Sequence, residues 1–254
     1  MTQRWPARLW LIRHGQSAGN VAREAALRDA LHRIQLDGRD MDIPLSPLGQ
    51  RQARALGDWF SHQPETERPD ILLCSPYARA LQTARLFREA GGMSGDEPIC
   101  ADERLREKEF GILDGLTASG IAKVHPEQAE FRRLLGKFYH RSPGGESWCD
   151  VILRLRSVLD TISLHYAGRR VLIVCHQVVI LCLRYILEHL NEAEILEIDR
   201  HANVGNCSLT EYKFDPGIGR AGGLRLARYN DTSPLAQEGE PRTDAPDPVV
   251  AARG

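Results

Sequence analysis

Two histidines stand where reacting groups collect in α/β proteins. His14 follows the apolar run Arg8 to Ile12, and His176 follows the run Val171 to Cys175. Ligands of α/β sheets gather beyond the carboxyl ends of the strands. If these runs are neighbouring strands, both imidazoles project from one sheet edge into one site. Arg13 precedes His14, and Gly15, Gln16 and Ser17 complete the turn. Glycine lets the backbone approach a ligand closely, and amides opening a helix suit an anion. Arg79 lies in the first turn after Ser75-Pro76, beyond a third apolar run. Two guanidiniums and two imidazoles make a dense cationic cluster, and its natural guest is a phosphoryl group. A lone histidine or helix arginine is more often a packed or solvated residue; the shared placement singles these out. The other seven histidines, His125, His140 and His201 among them, keep the plainer reading.

Positioning such a cluster takes strands that alternate with helices. The runs Arg8 to Ile12, Ile71 to Cys74 and Val171 to Cys175 read as buried strands of a largely parallel sheet. Ser46-Pro47 and Ser75-Pro76 each read as an N-cap with proline at the first helical position. Leu48, Ala55, Leu56, Trp59 and Phe60 form the stripe of the first helix, and Tyr77, Leu81, Ala84 and Phe87 that of the second. A third helix carries Val151, Leu155, Val158 and Ile162; a fourth runs from just after His176 through Ile186. Cys207 to Phe214 and Leu224 to Tyr229 read as a late hairpin across Pro216 to Gly223. Strands alternating with helices predict right-handed βαβ units and a three-layer α/β/α sandwich with a mostly parallel central sheet.

The 254 residues suit one large α/β domain, expected over residues 1–230. Residues 231–254 hold four prolines, seven charges and no aromatic residue, which predicts a disordered tail. Lys plus Arg is 33 and Asp plus Glu is 34, a net charge of −1, which argues against a nucleic-acid partner. The longest apolar stretch, Val171 to Leu183, is interrupted and too short to span a bilayer. No C-x-x-C pair occurs among the six cysteines, so reduced, buried thiols in a cytoplasmic protein are expected.

LIRHGQSAGN, from Leu11 to Asn20, resembles the signature of the histidine phosphatase superfamily, the phosphoglycerate mutase-like proteins. SPYARALQTA from Ser75, LREKEFGILDG from Leu105 and VLIVCHQVV from Val171 resemble its later motifs, in family order. PLSPLGQRQA from Pro44 and PGGESW from Pro143 add weaker matches. The resemblance implies a phosphoglycerate mutase-like fold and a phosphomonoester hydrolase acting on a phosphorylated small molecule. It implies His14 as nucleophile, with Arg13, Arg79, a protonated His176 and Asn20 holding the phosphoryl oxygens. Glu107 is implied as general acid and base; Asp102, Glu103, Glu109 and Asp114 stand close enough to be alternatives. Arg106 and Lys108 read as surface charges. No metal or other cofactor is required by this chemistry.

Gln177 replaces the glycine that usually follows the second histidine, which resembles the fructose 2,6-bisphosphatase branch. A phosphoglycerate mutase is the nearest rival, but Gly19 stands where the mutase signature has tryptophan. A binding module without turnover is the rival from another class; both histidines, both arginines and a candidate acid argue against it. The segments Val21 to Ile43 and Ile121 to Ser142 are expected to cover the pocket, with Arg33, Arg39, Arg132, Arg133, Lys137 and Tyr139 as candidates for a second anionic group. No motif bears on oligomeric state.

Overall fold

A computed structural model describes residues 3–244 of the chain. The strands are β1 (Arg8–Arg13), β2 (Ile71–Cys74), β3 (Ile99–Ala101), β4 (Arg170–Cys175), β5 (Leu209–Asp215) and β6 (Gly223–Asp231). The α-helices among the described residues are α1 (Ala18–Arg28), α2 (Pro47–Ser61), α3 (Ala78–Glu89), α4 (Ala118–Val124), α5 (Pro126–Tyr139), α6 (Trp148–His165), α7 (Gln177–Leu187), α8 (Glu192–His201) and α9 (Ser233–Gln237). The strands form one sheet in the order β3-β2-β4-β1-β5-β6. The first four run parallel, and β5 enters antiparallel to β1 before pairing with β6.

Side chains that alternate along a strand face opposite layers. Leu9, Leu11, Val171 and Ile173 pack with Val151, Leu155, Val158 and Ile162 of α6. Trp10, Ile12, Leu172 and Val174 face the other way, onto Leu56 and Phe60 of α2 and Phe87 of α3. Being covered on both sides is what makes the central strands read as unbroken apolar runs. The result is the α/β/α sandwich that the sequence predicts.

Three details depart from the sequence reading. Ser46 caps α2 as expected, accepting from the Gly49 N–H at 3.0 Å, but Ser75 caps nothing. α3 begins at Ala78 after Tyr77, and that cap has no side-chain hydrogen bond. Cys100 is exposed, although all six cysteines are free thiols.

The third departure concerns the tail. Asp231 ends β6, α9 follows at once, and Leu235 is fully buried in the core that α2 and α3 share. Buried Pro234 and Leu235, with hydrogen bonds from Trp59 to Gln237, Arg51 to Glu240 and Gln52 to Pro241, tie the segment down, contacts that composition alone does not show. The expectation of disorder is corrected over residues 231–244; its remainder, residues 245–254, lies outside the described residues.

Candidate active site

The site is set by backbone register. Arg13 pairs with Cys175 across the parallel β1–β4 ladder, and the His14 N–H donates to the Cys175 carbonyl at 3.0 Å. The next residues on each strand, His14 and His176, therefore leave the sheet side by side. Their rings meet edge-on, with centroids 5.1 Å apart, and both are fully buried.

Each imidazole is oriented by a neighbour. His14 Nδ1 lies 2.7 Å from the Gly15 carbonyl oxygen. A carbonyl only accepts, so Nδ1 carries a proton, and in the neutral ring the lone pair falls on Nε2. His176 Nε2 lies 2.8 Å from the Ser75 hydroxyl, the role that Ser75 takes instead of capping a helix. Burial first, then the Arg79 guanidinium, hold the His176 pKa well below the ordinary imidazole value. That burial and charge favour the neutral ring.

The His14 turn is pressed against the start of α2. A Cβ on Gly15 would stand 2.5 Å from the Gly49 carbonyl oxygen, so nothing larger than glycine fits. The Gly15 N–H donates to Thr83 Oγ1 at 3.0 Å. The Gln16 N–H donates to Gln52 Oε1 at 3.0 Å. Ser17 caps α1 in a reciprocal box with Asn20, whose Oδ1 accepts from the Ser17 N–H at 2.9 Å. Arg13 is fully buried, and its Nη1 donates to the Val204 carbonyl at 2.6 Å.

The adjoining pocket is lined by Ser17, Asn20, Arg23, Asp40, Arg79, Glu107, Phe110 and Asp114, with Ile34, Leu36 and Ile43 as an apolar wall. Of the sequence candidates, Asn20, Arg79 and Glu107 line this pocket, and the paired His14 and His176, with Arg13, lie next to it without lining it. Arg79 is engaged by a carboxylate: its Nη1 and Nη2 donate to Asp40 Oδ1 and Oδ2 at 3.1 and 2.9 Å.

The carboxylates near Glu107 separate by environment. Glu107 is 1% exposed, and its Oε1 accepts from the Lys108 N–H at 2.8 Å. It also helps to raise the thiol pKa of Cys175, after burial, which places it near the end of β4. Asp114 shares the pocket, its pKa raised by burial first and by Asp40 second. Asp102 is turned to Arg104 at 2.6 Å, and Glu109 accepts from the Tyr77 hydroxyl at 2.6 Å.

Charges read as superficial turn out to be built in. Arg106 Nη2 donates to Glu146 Oε1 at 2.8 Å, and that carboxylate also accepts from Arg154 Nε at 2.9 Å and from the Glu109 N–H at 3.1 Å. This clamp fixes the strip that carries Glu107. Lys108 is 8% exposed, and burial pushes its pKa down to about 8.

The expected cover is half right. Residues 34–43 wall the pocket, whereas no residue of Ile121 to Ser142 lines it. Arg39, Arg133 and Lys137 instead pair with Asp42, Glu130 and Asp199, and Arg33 and Tyr139 are exposed. Arg23 was hidden in the insert as one helix charge among several. Its spacing of three from Asn20 puts both on one face of α1.

The profile of the histidine phosphatase superfamily (branch 1) matches residues 9–232. This chain belongs to that superfamily. This histidine phosphatase is 33% identical over 219 residues to a 6-phosphofructo-2-kinase/fructose-2,6-bisphosphatase of Caenorhabditis elegans, matching 83% of this chain and 42% of that one. The chain thus spans less than half of that bifunctional relative. It is 28% identical to a probable phosphoglycerate mutase GpmB of Yersinia enterocolitica, over 89% of this chain and 94% of that one. Among solved structures, Bacillus stearothermophilus YhfR superposes with a TM-score of 0.68 at 27% identity, covering 90% of this chain and 98% of that one. A mycobacterial glucosyl-3-phosphoglycerate phosphatase, in complex with inorganic phosphate, superposes with a TM-score of 0.65 at 25% identity, covering 90% and 99%. Phosphatases and mutases are both among the relatives of this histidine phosphatase. Among the described residues no helix is long and apolar enough to cross a membrane, and no group of three potential ligands could hold a metal ion.

Proposed function

We propose that this enzyme hydrolyses phosphomonoesters through a phosphohistidine on His14. One observation carries the reading: register puts the buried His14 ring edge-on to His176 at the strand ends, and its Nδ1 tie to the Gly15 carbonyl turns Nε2 away from that carbonyl. Nε2 attacks phosphorus as the bond to the leaving oxygen breaks, and Glu107 in its acid form gives that oxygen a proton. Water then attacks the phosphohistidine, Glu107 takes the water's proton, and inorganic phosphate leaves.

Phosphoryl transfer depends mainly on positioning and on stabilising charge at the equatorial oxygens. Arg13 and Arg79 supply fixed positive charge. Asn20 has its oxygen engaged by Ser17, so its NH2 group is what it offers a phosphoryl oxygen. Burial first and Arg79 second hold the His176 pKa down; a phosphoryl dianion brought beside it favours its protonation. The reaction takes a phosphorylated small molecule and water.

A mutase or a fructose 2,6-bisphosphatase-like sugar phosphatase is the second reading, supported by the named relatives. The pocket's apolar wall, with Asp40 and Asp114 beside it, favours a leaving group without a second strong anion. Purified enzyme, assayed with chelator and without a bisphosphoglycerate primer, should release inorganic phosphate faster than it interconverts 3- and 2-phosphoglycerate. Fast, primer-dependent isomerisation with negligible phosphate release would make it a mutase.

A further inference from the structure

The segment beyond α9 reaches back under the catalytic turn. The Asn206 N–H donates to the Thr243 carbonyl at 2.8 Å. The Thr243 hydroxyl donates to Asn206 Oδ1 at 3.0 Å and accepts from Gln52 Nε2 at 3.0 Å. Gln52 Nε2 also donates to the Pro241 carbonyl at 2.9 Å.

Both amide side chains held by that hydroxyl continue into the His14 turn. Asn206 Nδ2 donates to the His14 carbonyl at 2.9 Å and lies 3.4 Å from Asn20 Oδ1. Gln52 Oε1 accepts from the Gln16 N–H at 3.0 Å. One hydroxyl thus joins the group holding the carbonyl before Gly15 to the group holding the N–H after it. Donor and acceptor roles are fixed along the chain from Gln52 through Thr243 to Asn206, and such buried chains polarise and stiffen one another. The Gln16 N–H shares its peptide unit with the Gly15 carbonyl, which sets the His14 ring through Nδ1. A tilt of that carbonyl displaces Nε2.

We propose that Thr243 is a positioning residue for the His14 nucleophile, acting through Asn206 and Gln52 from a segment outside the matched superfamily region, which ends at residue 232. Leu235, fully buried on α9, anchors the segment, and the Thr243 hydroxyl aims the turn. The inference rests on the reading of His14 as nucleophile. Asn206 and Gln52 are themselves fully buried, whereas Thr243 is half-buried and closes their outer end.

The test compares Thr243→Val, which keeps shape but loses the hydroxyl, with Thr243→Ser, which keeps the hydroxyl. Turnover of p-nitrophenyl phosphate, inhibition by inorganic phosphate and the melting temperature are measured for each, with Thr243→Ala as a second removal. A nucleophile displaced by a fraction of an ångström loses roughly 10- to 100-fold in kcat. The Val and Ala variants should show that loss at a phosphate inhibition constant within about twofold of wild type, and Thr243→Ser should recover most of the rate. Ile162→Val, a deletion in the core on the α6 face of the sheet, should instead lower the melting temperature and leave kcat per folded molecule unchanged. An unchanged kcat in Thr243→Val and Thr243→Ala, or a loss that tracks unfolding and is not restored by Ser, would overturn the proposal. Activity surviving in His14→Ala would be a different failure, that of the nucleophile assignment itself.

Discussion

His14 and His176 meet edge-on at 5.1 Å because Arg13 and Cys175 are register partners in adjacent parallel strands. Their separation is set by the sheet, whose strands have a spacing of roughly 4.8 Å, and their tilt is set by Gly15 and Ser75. Placing both rings at strand ends makes the site as rigid as the core that carries it, and leaves the substrate-facing choices to residues 34–43 and to the Glu107 strip.

Glu107 and Asp114 are the two carboxylates that line the pocket beside Asp40. If Glu107 protonates the leaving oxygen, Glu107→Gln should slow hydrolysis of alkyl phosphates by roughly 10²-fold or more, yet harm aryl phosphates far less. Asp114→Asn should show no such dependence on the leaving group. Equal losses on both substrate types for Glu107→Gln would move the acid elsewhere.

Asp40 engages the two terminal nitrogens of Arg79 that a phosphoryl group would use. An internal competitor lowers apparent affinity by the fraction of molecules it occupies. Asp40→Asn should therefore lower the inhibition constant for inorganic phosphate by roughly 3- to 10-fold. Asp42→Asn, on the same segment but with its carboxylate paired to Arg39, serves as control. A raised constant in Asp40→Asn would mean that Asp40 aligns Arg79 instead.

Lys108 lies with its ammonium 4.5 Å from the Phe110 ring centroid, and burial pushes its pKa down to about 8 from 10.5. Below pH 8 it is charged in both folded and unfolded chains, and the fold bears the full desolvation cost. Between pH 8 and 10.5 the folded chain releases the proton while the unfolded chain keeps it, so stability rises with pH. Lys108→Met should melt above wild type at pH 7, and the gap should close as pH rises through that window. A gap that does not change with pH would contradict the assignment.

The sandwich was legible because β1, β2 and β4 are short, continuous apolar runs, and sheets buried on both faces demand that pattern. His14 and His176 were legible because strand ends are where α/β sites form. Ser75 was misread for a physical reason: Ser-Pro before a helical stripe looks the same whether the hydroxyl caps the helix or turns to an imidazole on the next strand. Asp40 and Arg23 were hidden because one charge in a polar insert gives no local signal; only the folding of residues 34–43 over the pocket singles them out. Lys108 sits among five charged neighbours in sequence, and its burial depends on Phe110 and on the clamp from Glu146. The docking of α9 rests on Pro234, Leu235 and hydrogen bonds to side chains of α2, contacts that the composition of the segment does not show.

The central claim is covalent transfer to His14. The enzyme is mixed with a reactive phosphomonoester, quenched in alkali so that the acid-labile phosphoramidate survives, and digested for mass spectrometry. The account predicts a phosphoryl group on the peptide containing His14, formed and lost at rates that can carry turnover, with His14→Ala slowed by at least ~10³-fold on an aryl phosphate. A phosphopeptide mapping elsewhere, or substantial turnover in His14→Ala, would contradict it.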